Sequence, residues 1–199
     1  MTRAPSCAPT PGSPNLACPI TAIDQRFVNI GRVKIQGIDI DARFTGPPTD
    51  LGRFRATVVG TYYIKYDIQQ PDGSFRGFIS NAFQVPASGI SPRWKSYAAL
   101  TWERGAWSAT VANTHQNSYT DVLTDANGDP RRVSTLSLWD VQGSYTGFKN
   151  TPLTLGAKNV FDRNPPLTNS NLTFQSGYDP TYYDARARVV YGSIRYAFR

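Results

Sequence analysis

The chain has 199 residues, of which 40% are hydrophobic, 13% aromatic and only 18% charged, too apolar and too rich in rings for a disordered polypeptide. Its net charge of +7 is scattered, with no basic block, which argues against nucleic acid as a partner. No stretch approaches the roughly 18 consecutive apolar residues of a membrane-crossing helix, so the composition leaves a β-rich chain poor in charge.

Residues 1–19, MTRAPSCAPTPGSPNLACP, carry one Arg and no apolar segment of secretion-signal type; an export signal, if used, is expected outside this sequence. Cys7 and Cys18 are the only cysteines and lie in a Pro/Ser/Ala-rich loop without zinc-type spacing. They read as a local disulfide closing that loop, with two inert thiols as the alternative; a disulfide would imply an oxidising compartment.

Strands follow from period-two alternation. A short one is predicted at Asp24–Ile30. In Arg32–Phe44, Ile38, Ile40, Ala42 and Phe44 oppose Gly37, Asp39, Asp41 and Arg43. The pattern is clearest in Arg53–Tyr66, where Phe54, Ala56, Val58, Gly60, Tyr62, Ile64 and Tyr66 form an uncharged face against Arg53, Arg55, Thr57, Val59, Thr61, Tyr63 and Lys65. Trp94–Trp102, Trp107–Ser118 and Thr135–Phe148 come next, the last setting Trp139, Val141, Gly143 and Tyr145 against Asp140, Gln142, Ser144 and Thr146. Leu153–Phe161 and Arg188–Phe198 complete the set, the latter with Val190, Gly192, Ile194, Tyr196 and Phe198 on one face. These segments exceed the usual strand of about 5–6 residues and match the ~9–11 residues with which a tilted strand crosses a bilayer.

The connections Thr45–Gly52, Asp67–Arg93, Glu103–Ala106, Tyr119–Ser134, Lys149–Pro152 and Asp162–Ala187 alternate short and long. A transmembrane barrel has that rhythm, with tight turns at one rim and long loops at the other. Its backbone must pair within a closed sheet because hydrocarbon offers no hydrogen bonds. Trp94, Trp102, Trp107, Trp139, Tyr62 and Tyr145 near strand ends suit the headgroup level. A soluble β-sandwich, which also alternates, is the competing architecture.

Several stretches carry a family resemblance. Phe27-Val28-Asn29-Ile30-Gly31 followed by Gly37-Ile38-Asp39-Ile40 resembles a step into a barrel strand in TonB-dependent receptors, the outer-membrane transporters of Gram-negative bacteria. Gly156-Ala157-Lys158-Asn159-Val160-Phe161-Asp162 with Pro165-Pro166 resembles a strand near the C-terminus of that family, and Gly177-Tyr178-Asp179-Pro180 with Tyr182-Tyr183-Asp184 resembles its terminal loop. The Cys7–Cys18 pair looks like an extracellular-loop disulfide of one subgroup. Tyr196-Ala197-Phe198 resembles the terminal strand read by the barrel-assembly machinery, although Arg199 follows Phe198 here.

The resemblance implies an all-β fold: an antiparallel, incomplete barrel segment of about seven or eight long strands, with residues 1–31 as a loop and partial strand and 32–199 as the C-terminal barrel portion. It implies a fragment of a receptor for active uptake of a large, scarce solute such as a ferric siderophore, a cobalamin-like molecule or an oligosaccharide. Expected partners are the remaining barrel strands and plug of the parent receptor, the TonB complex, the barrel-assembly machinery and outer-membrane lipid, with no nucleic acid and no cofactor. Tyr119, Asn169, Tyr178, Tyr182 and Tyr183 are the loop candidates for ligand contact, with loop packing as the plainer alternative; Tyr196 and Phe198 are the assembly-signal candidates. A small freestanding outer-membrane barrel and a non-functional remnant are the other readings.

Catalytic and metal chemistry find little footing. His115 is the sole histidine, and only proximity in sequence links it to Ser118 and Asp121. Asp125-Ala126-Asn127-Gly128-Asp129 begins like a calcium loop but lacks the closing Glu, so it reads as a hairpin turn. No enzyme activity is expected.

Overall fold

The computed structural model describes residues 2–3, 20–22, 31–70, 72–81, 92–169, 177–180 and 182–198. The chain divides into two units, Met1–Gly31 and Arg32–Arg199. In the first, β1 (Thr2–Arg3) pairs antiparallel with β2 (Ile20–Ala22). Cys7, Cys18 and the strand expected at Asp24–Ile30 lie outside the described residues.

The second unit contains β3 (Val33–Thr45), β4 (Arg53–Gln69), β5 (Phe75–Gly77), β6 (Trp94–Arg104), β7 (Trp107–Gln116), β8 (Tyr119–Thr124), β9 (Pro130–Val133), β10 (Leu136–Tyr145), β11 (Leu153–Lys158) and β12 (Val189–Ile194). The described residues contain no helix. One antiparallel sheet runs β12-β11-β10-β7-β6-β4-β3, with β5 beside β4, and β8 and β9 form a separate hairpin. Each neighbour along that path is also the next long strand in sequence, so the sheet is an up-and-down meander. It does not close: among the described residues β3 and β12 are its two edges.

Register brings the alternating faces of the separate strands into one surface. Ile40 lies opposite Gly60, Ala42 opposite Val58 and Phe44 opposite Ala56. Ala56 faces Leu100 and Val58 faces Ala98. Leu100 then meets Val111, Val111 meets Val141, Val141 meets Ala157 and Ala157 meets Val190. Directly opposed residues point to the same side, so an apolar band crosses all seven strands of the path. It has no covering layer: Ile38 is 52%, Leu100 51% and Leu155 60% exposed. Aromatic residues flank the band, with Tyr62 opposite Trp94 toward the long loops and Phe54 opposite Trp102 toward the short turns.

The other face is polar. Arg55 Nη2 bonds Glu103 Oε2 at 2.9 Å, the Thr101 and Thr110 hydroxyls meet at 2.9 Å, and those of Ser144 and Thr154 do the same. Exposed pairs of this kind stabilise by about 1 kcal/mol or less each; their main effect is a wettable wall. A glycine on each face is covered by a neighbouring ring. A Cβ on Gly60 would lie 2.5 Å from Trp94 Cη2, and one on Gly156 would lie 2.4 Å from the Tyr191 hydroxyl, so each aromatic lies flat over a position where a side chain cannot fit.

The alternation expected along Arg53–Tyr66 breaks once. Gly37 pairs with Tyr63 but Gln36 pairs with Lys65, leaving Ile64 as an extra residue, a β-bulge that reverses the strand's parity beyond it. Lys65 and Asp67, instead of Ile64 and Tyr66, therefore continue the outward side next to Gln36 and Lys34. Side-chain contacts agree: Lys65 Nζ bonds Asp67 Oδ2 at 3.2 Å, while the Tyr63 and Tyr66 rings approach with centroids 6.4 Å apart.

Little of the burial is in the sheet. Of the buried hydrophobic residues, Tyr119, Val122, Val133 and Tyr183 form a cluster at the long-loop rim, and Ala112 is the one inside a long strand.

Candidate functional site

At the long-loop rim, local turn chemistry shapes the β8–β9 hairpin. The Asp125 carboxylate accepts the N–H groups of Asn127 at 2.8 Å and Asp129 at 3.0 Å, and Gly128 takes a φ of 88°, the left-handed geometry that glycine adopts at no steric cost. One oxygen of the carboxylate that opens the calcium-loop-like run is thus used to close a turn. Among the described residues no group of three or more His, Cys, Asp or Glu side chains is placed to hold a metal.

The long segment after β11 folds onto this hairpin through Asp121. That side chain is fully buried and accepts hydrogen bonds from Thr168 Oγ1 at 2.6 Å, from the Asn169 backbone N–H at 2.6 Å and from the Val122 N–H at 2.8 Å. Asn169 Nδ2 donates to the Thr124 carbonyl at 3.0 Å, and Arg131 Nη1 donates to Asn169 Oδ1 at 2.5 Å. A buried charge persists only when surrounded by donors in this way. Around it, Leu136, Tyr178 and Tyr182 pack against the Tyr119, Val122, Val133 and Tyr183 cluster. The cluster is tied to the sheet by Gln116 Nε2, which donates to the Tyr183 hydroxyl at 2.8 Å, and by Lys95, whose Nζ lies 4.4 Å from the Tyr182 ring centre. The loop after β4 joins as well, with Thr120 N–H donating to the Ser80 carbonyl at 2.8 Å.

Tyr119, Asn169, Tyr178, Tyr182 and Tyr183, chosen from different loops, thus converge on one cluster. Its organisers Asp121, Thr168, Gln116 and Arg131 were not read as site residues. Asp121 carried a faint signal, a carboxylate between Tyr119 and Val122 in an otherwise apolar run, but its partners lie more than forty positions away. His115, Ser118 and Asp121 do not assemble: His115 Nε2 meets Asn117 Oδ1 at 3.0 Å, and Ser118 Oγ accepts from Arg132 Nε at 3.0 Å.

Below the cluster, a cleft of about 150 Å³ on the polar face is lined by Leu138, Asp140, Lys158, Asn159, Asp184 and Arg186. The Asn159 N–H donates to Asp140 Oδ1 at 2.8 Å, and the Asn159 side chain closes its own turn on Arg163. Asp162 accepts the Arg188 N–H at 2.7 Å. Asn159 and Asp162 both hold positive φ, 50° and 54°, which gives the Lys158–Asp162 motif a physical role at the end of β11. Hydrogen bonds from the Arg186 side chain and backbone hold the exposed Asp184 carboxyl down at about 2. At the opposite rim, pairing continues past β12: Ala197 N–H donates to the Asn150 carbonyl at 3.1 Å, and the Tyr196 and Phe198 rings stand edge to face at 4.7 Å, with Phe198 90% exposed.

Burial pushes the Tyr183 hydroxyl up to about 12, against the hydrogen bonds from Tyr119 and Gln116. Tyr119 is raised further, first by burial and then by the charges of Tyr183, Asp121 and Asp179.

Comparison with known proteins gives these features a setting. The family model described as TonB dependent receptor-like, beta-barrel matches residues 3–160. Two crystal structures of mutant forms of the ferric enterobactin receptor PfeA from Pseudomonas aeruginosa, one of them in complex with enterobactin, share the fold, each at a TM-score of 0.51 and 19% identity. Each match covers 80% of this chain and 22% of that chain, so this chain spans about a fifth of the receptor's length. No curated protein matches the sequence.

Replacing Asp121 with Ala removes the acceptor of the Thr168 hydroxyl and the Asn169 N–H, and is expected to remove about 3 kcal/mol of local stability. Amide hydrogen exchange should accelerate across residues 119–133 and 167–169 while the β6–β7 and β7–β10 ladders stay protected; D121N should lose less. A second expectation concerns alkaline pH. Both buried phenols titrate above their unfolded value of about 10, so their stabilising contribution is complete below pH ~10 and is lost as pH rises through 12 and beyond. Tyrosinate absorbance should therefore show a late fraction of the 11 tyrosines, released together with cluster unfolding, and Y183F should abolish part of it.

Proposed function

We propose that this chain, which belongs to the TonB-dependent receptor-like β-barrel family, forms the C-terminal part of the wall of an outer-membrane receptor that actively takes up a large, scarce solute. The carrying observation is the uncovered apolar band, continuous in register across β3, β4, β6, β7, β10, β11 and β12, backed by a polar face. In water such a surface would have to be covered by a second layer; in a bilayer it is the lipid contact, and the polar face lines a lumen.

In this reading the short turns face the periplasm and the long loops face outside. The remaining strands, a plug domain and the TonB complex belong to the parent receptor, whose strands would pair with the β3 and β12 edges. A freestanding barrel would need those two edges to meet, and the observed strand order holds them at opposite ends. The barrel-assembly machinery would read Tyr196 and Phe198. The loop cluster would form part of the solute vestibule, with the Asp140–Lys158–Arg186 cleft beneath it; the reading involves no catalysis and no bound cofactor. A ferric siderophore is the first solute to test, because the similar solved receptor is a ferric enterobactin receptor; a cobalamin-like molecule or an oligosaccharide comes after it.

An arginine at Val111, mid-band on the outward face, should cost about 2–4 kcal/mol in bilayer folding, whereas one at the inward-facing neighbour Thr110 should cost far less. Urea titration of the chain folded with lipid vesicles checks this, and equal costs would overturn the lipid-facing assignment. For transport, a strain whose only route for a given ferric chelate is the parent receptor should lose most of its uptake when the 163–184 loop is deleted, while barrel levels hold. Unchanged uptake of every candidate solute would remove the vestibule role from this loop.

A further inference from the structure

The bulge at Ile64 has an electrostatic consequence. By reversing parity it turns Lys65 and Asp67 to the outward side, beside Lys34 and Gln36, immediately beyond the point where the apolar band ends at Ile38 and Tyr62. Lys65 Nζ bonds Asp67 at 3.2 Å and keeps its side chain 43% exposed. Lys34 Nζ sits 3.7 Å from the ring centre of Phe75, which β5 delivers opposite Gln69. Just before β6 the Arg93 guanidinium lies 5.9 Å from the ring centre of Tyr62, an outward residue. Three cations and one carboxylate thus follow directly on an uncharged surface and stand among rings suited to the boundary between hydrocarbon and headgroups.

An ordinary ladder without the extra residue would point Lys65 into the lumen and leave Tyr66 outside. The bulge gives up ladder hydrogen bonds, and it sets ammonium groups where lipid headgroups lie. We propose that Lys34, Lys65 and Arg93 bind the headgroup of a lipid carrying more than one phosphate, in the leaflet nearest the long loops. Charge complementarity favours a phosphate, since an ammonium acts as a point charge and a guanidinium can grip two oxygens at once. Size favours more than one: β3 and β6 flank β4 and are therefore about 10 Å apart, wider than a single phosphate. Asp67 holds Lys65 in place beside Lys34 and Arg93, and the exposed remainder of the Lys65 ammonium faces the anion with them. The acyl chains would then run down over Tyr62, Ile38 and Ile40. This site rests on the reading of the apolar band as a lipid contact.

The test is flotation of the whole chain, folded from urea, with phosphatidylcholine vesicles alone and with the same vesicles doped with diphosphoryl lipid A. Each cation near an anionic surface is worth about a fivefold preference. The wild-type chain should favour doped vesicles, increasingly so as salt falls, and the triple variant K34Q/K65Q/R93Q should lose about tenfold or more of that preference while still inserting into phosphatidylcholine. R43Q, a cation on the inward face, should behave as wild type. Inorganic phosphate should not compete; if it does, the patch binds the free anion and the lipid assignment fails. Equal insertion of wild type and triple variant in both vesicle types overturns the headgroup site and leaves the membrane reading standing. A chain that stays in the aqueous phase with phosphatidylcholine overturns the membrane reading and this site with it.

Discussion

A backbone amide or carbonyl in hydrocarbon has no water to turn to, and the rest of this structure depends on that constraint. It requires each amide to find its partner in an adjacent strand, which explains why long strands and tight turns dominate and why consecutive strands are neighbours in the sheet. It also explains why the usual requirement for a covering layer is absent. A sheet in water must bury one face; here the apolar face is uncovered, and the side chains it carries are those a lipid tail would meet.

The same constraint distributes stability unevenly. The sheet is held by ladders of backbone hydrogen bonds and buries almost nothing between side chains. The rim cluster is held by burial, with Tyr119, Val122, Val133 and Tyr183 shielded and Asp121 clamped by three donors. The two regions depend on different physics; among the described residues they are joined by Gln116 to Tyr183, by Lys95 to Tyr182 and by Leu136 of β10 packing on the cluster. The rim cluster can therefore loosen or repack while the sheet keeps its register.

Most of the sheet was legible in the sequence because half-lipid, half-water strands write their faces in period two. Trp94–Trp102 and Trp107–Ser118, read from alternation, appear as Trp94–Arg104 and Trp107–Gln116. The bulge was not legible. Tyr62, Ile64 and Tyr66 extend an apolar alternation that the chain does not follow, because the decision is made by pairing with Gln36 and Gly37 on β3, and a single strand's pattern carries no information about its partner's register. The loop cluster was half legible. Its tyrosines drew notice as a compositional excess, but composition does not say whether a ring faces a solute or a neighbour, and the clamp at Asp121 joins residues 121 and 168 across three strands and a long connection.

The bulge and the cluster follow from one requirement met at the same rim. A strand leaving hydrocarbon must exchange an apolar outer face for a polar one within a residue or two. On β4 the exchange is made by reversing parity, so that existing charges in the sequence turn outward and existing rings turn inward. On the other side of the sheet, β7 ends with Gln116 buried beneath Tyr183, and the chain at once turns into the β8–β9 hairpin, whose apolar side is covered by the loop after β11. In the first case the polar groups are turned to the outer face, and in the second the apolar groups are removed from water by loop packing. Both devices are invisible to a rule that assigns faces strand by strand, and both occur where the surroundings change from hydrocarbon to water.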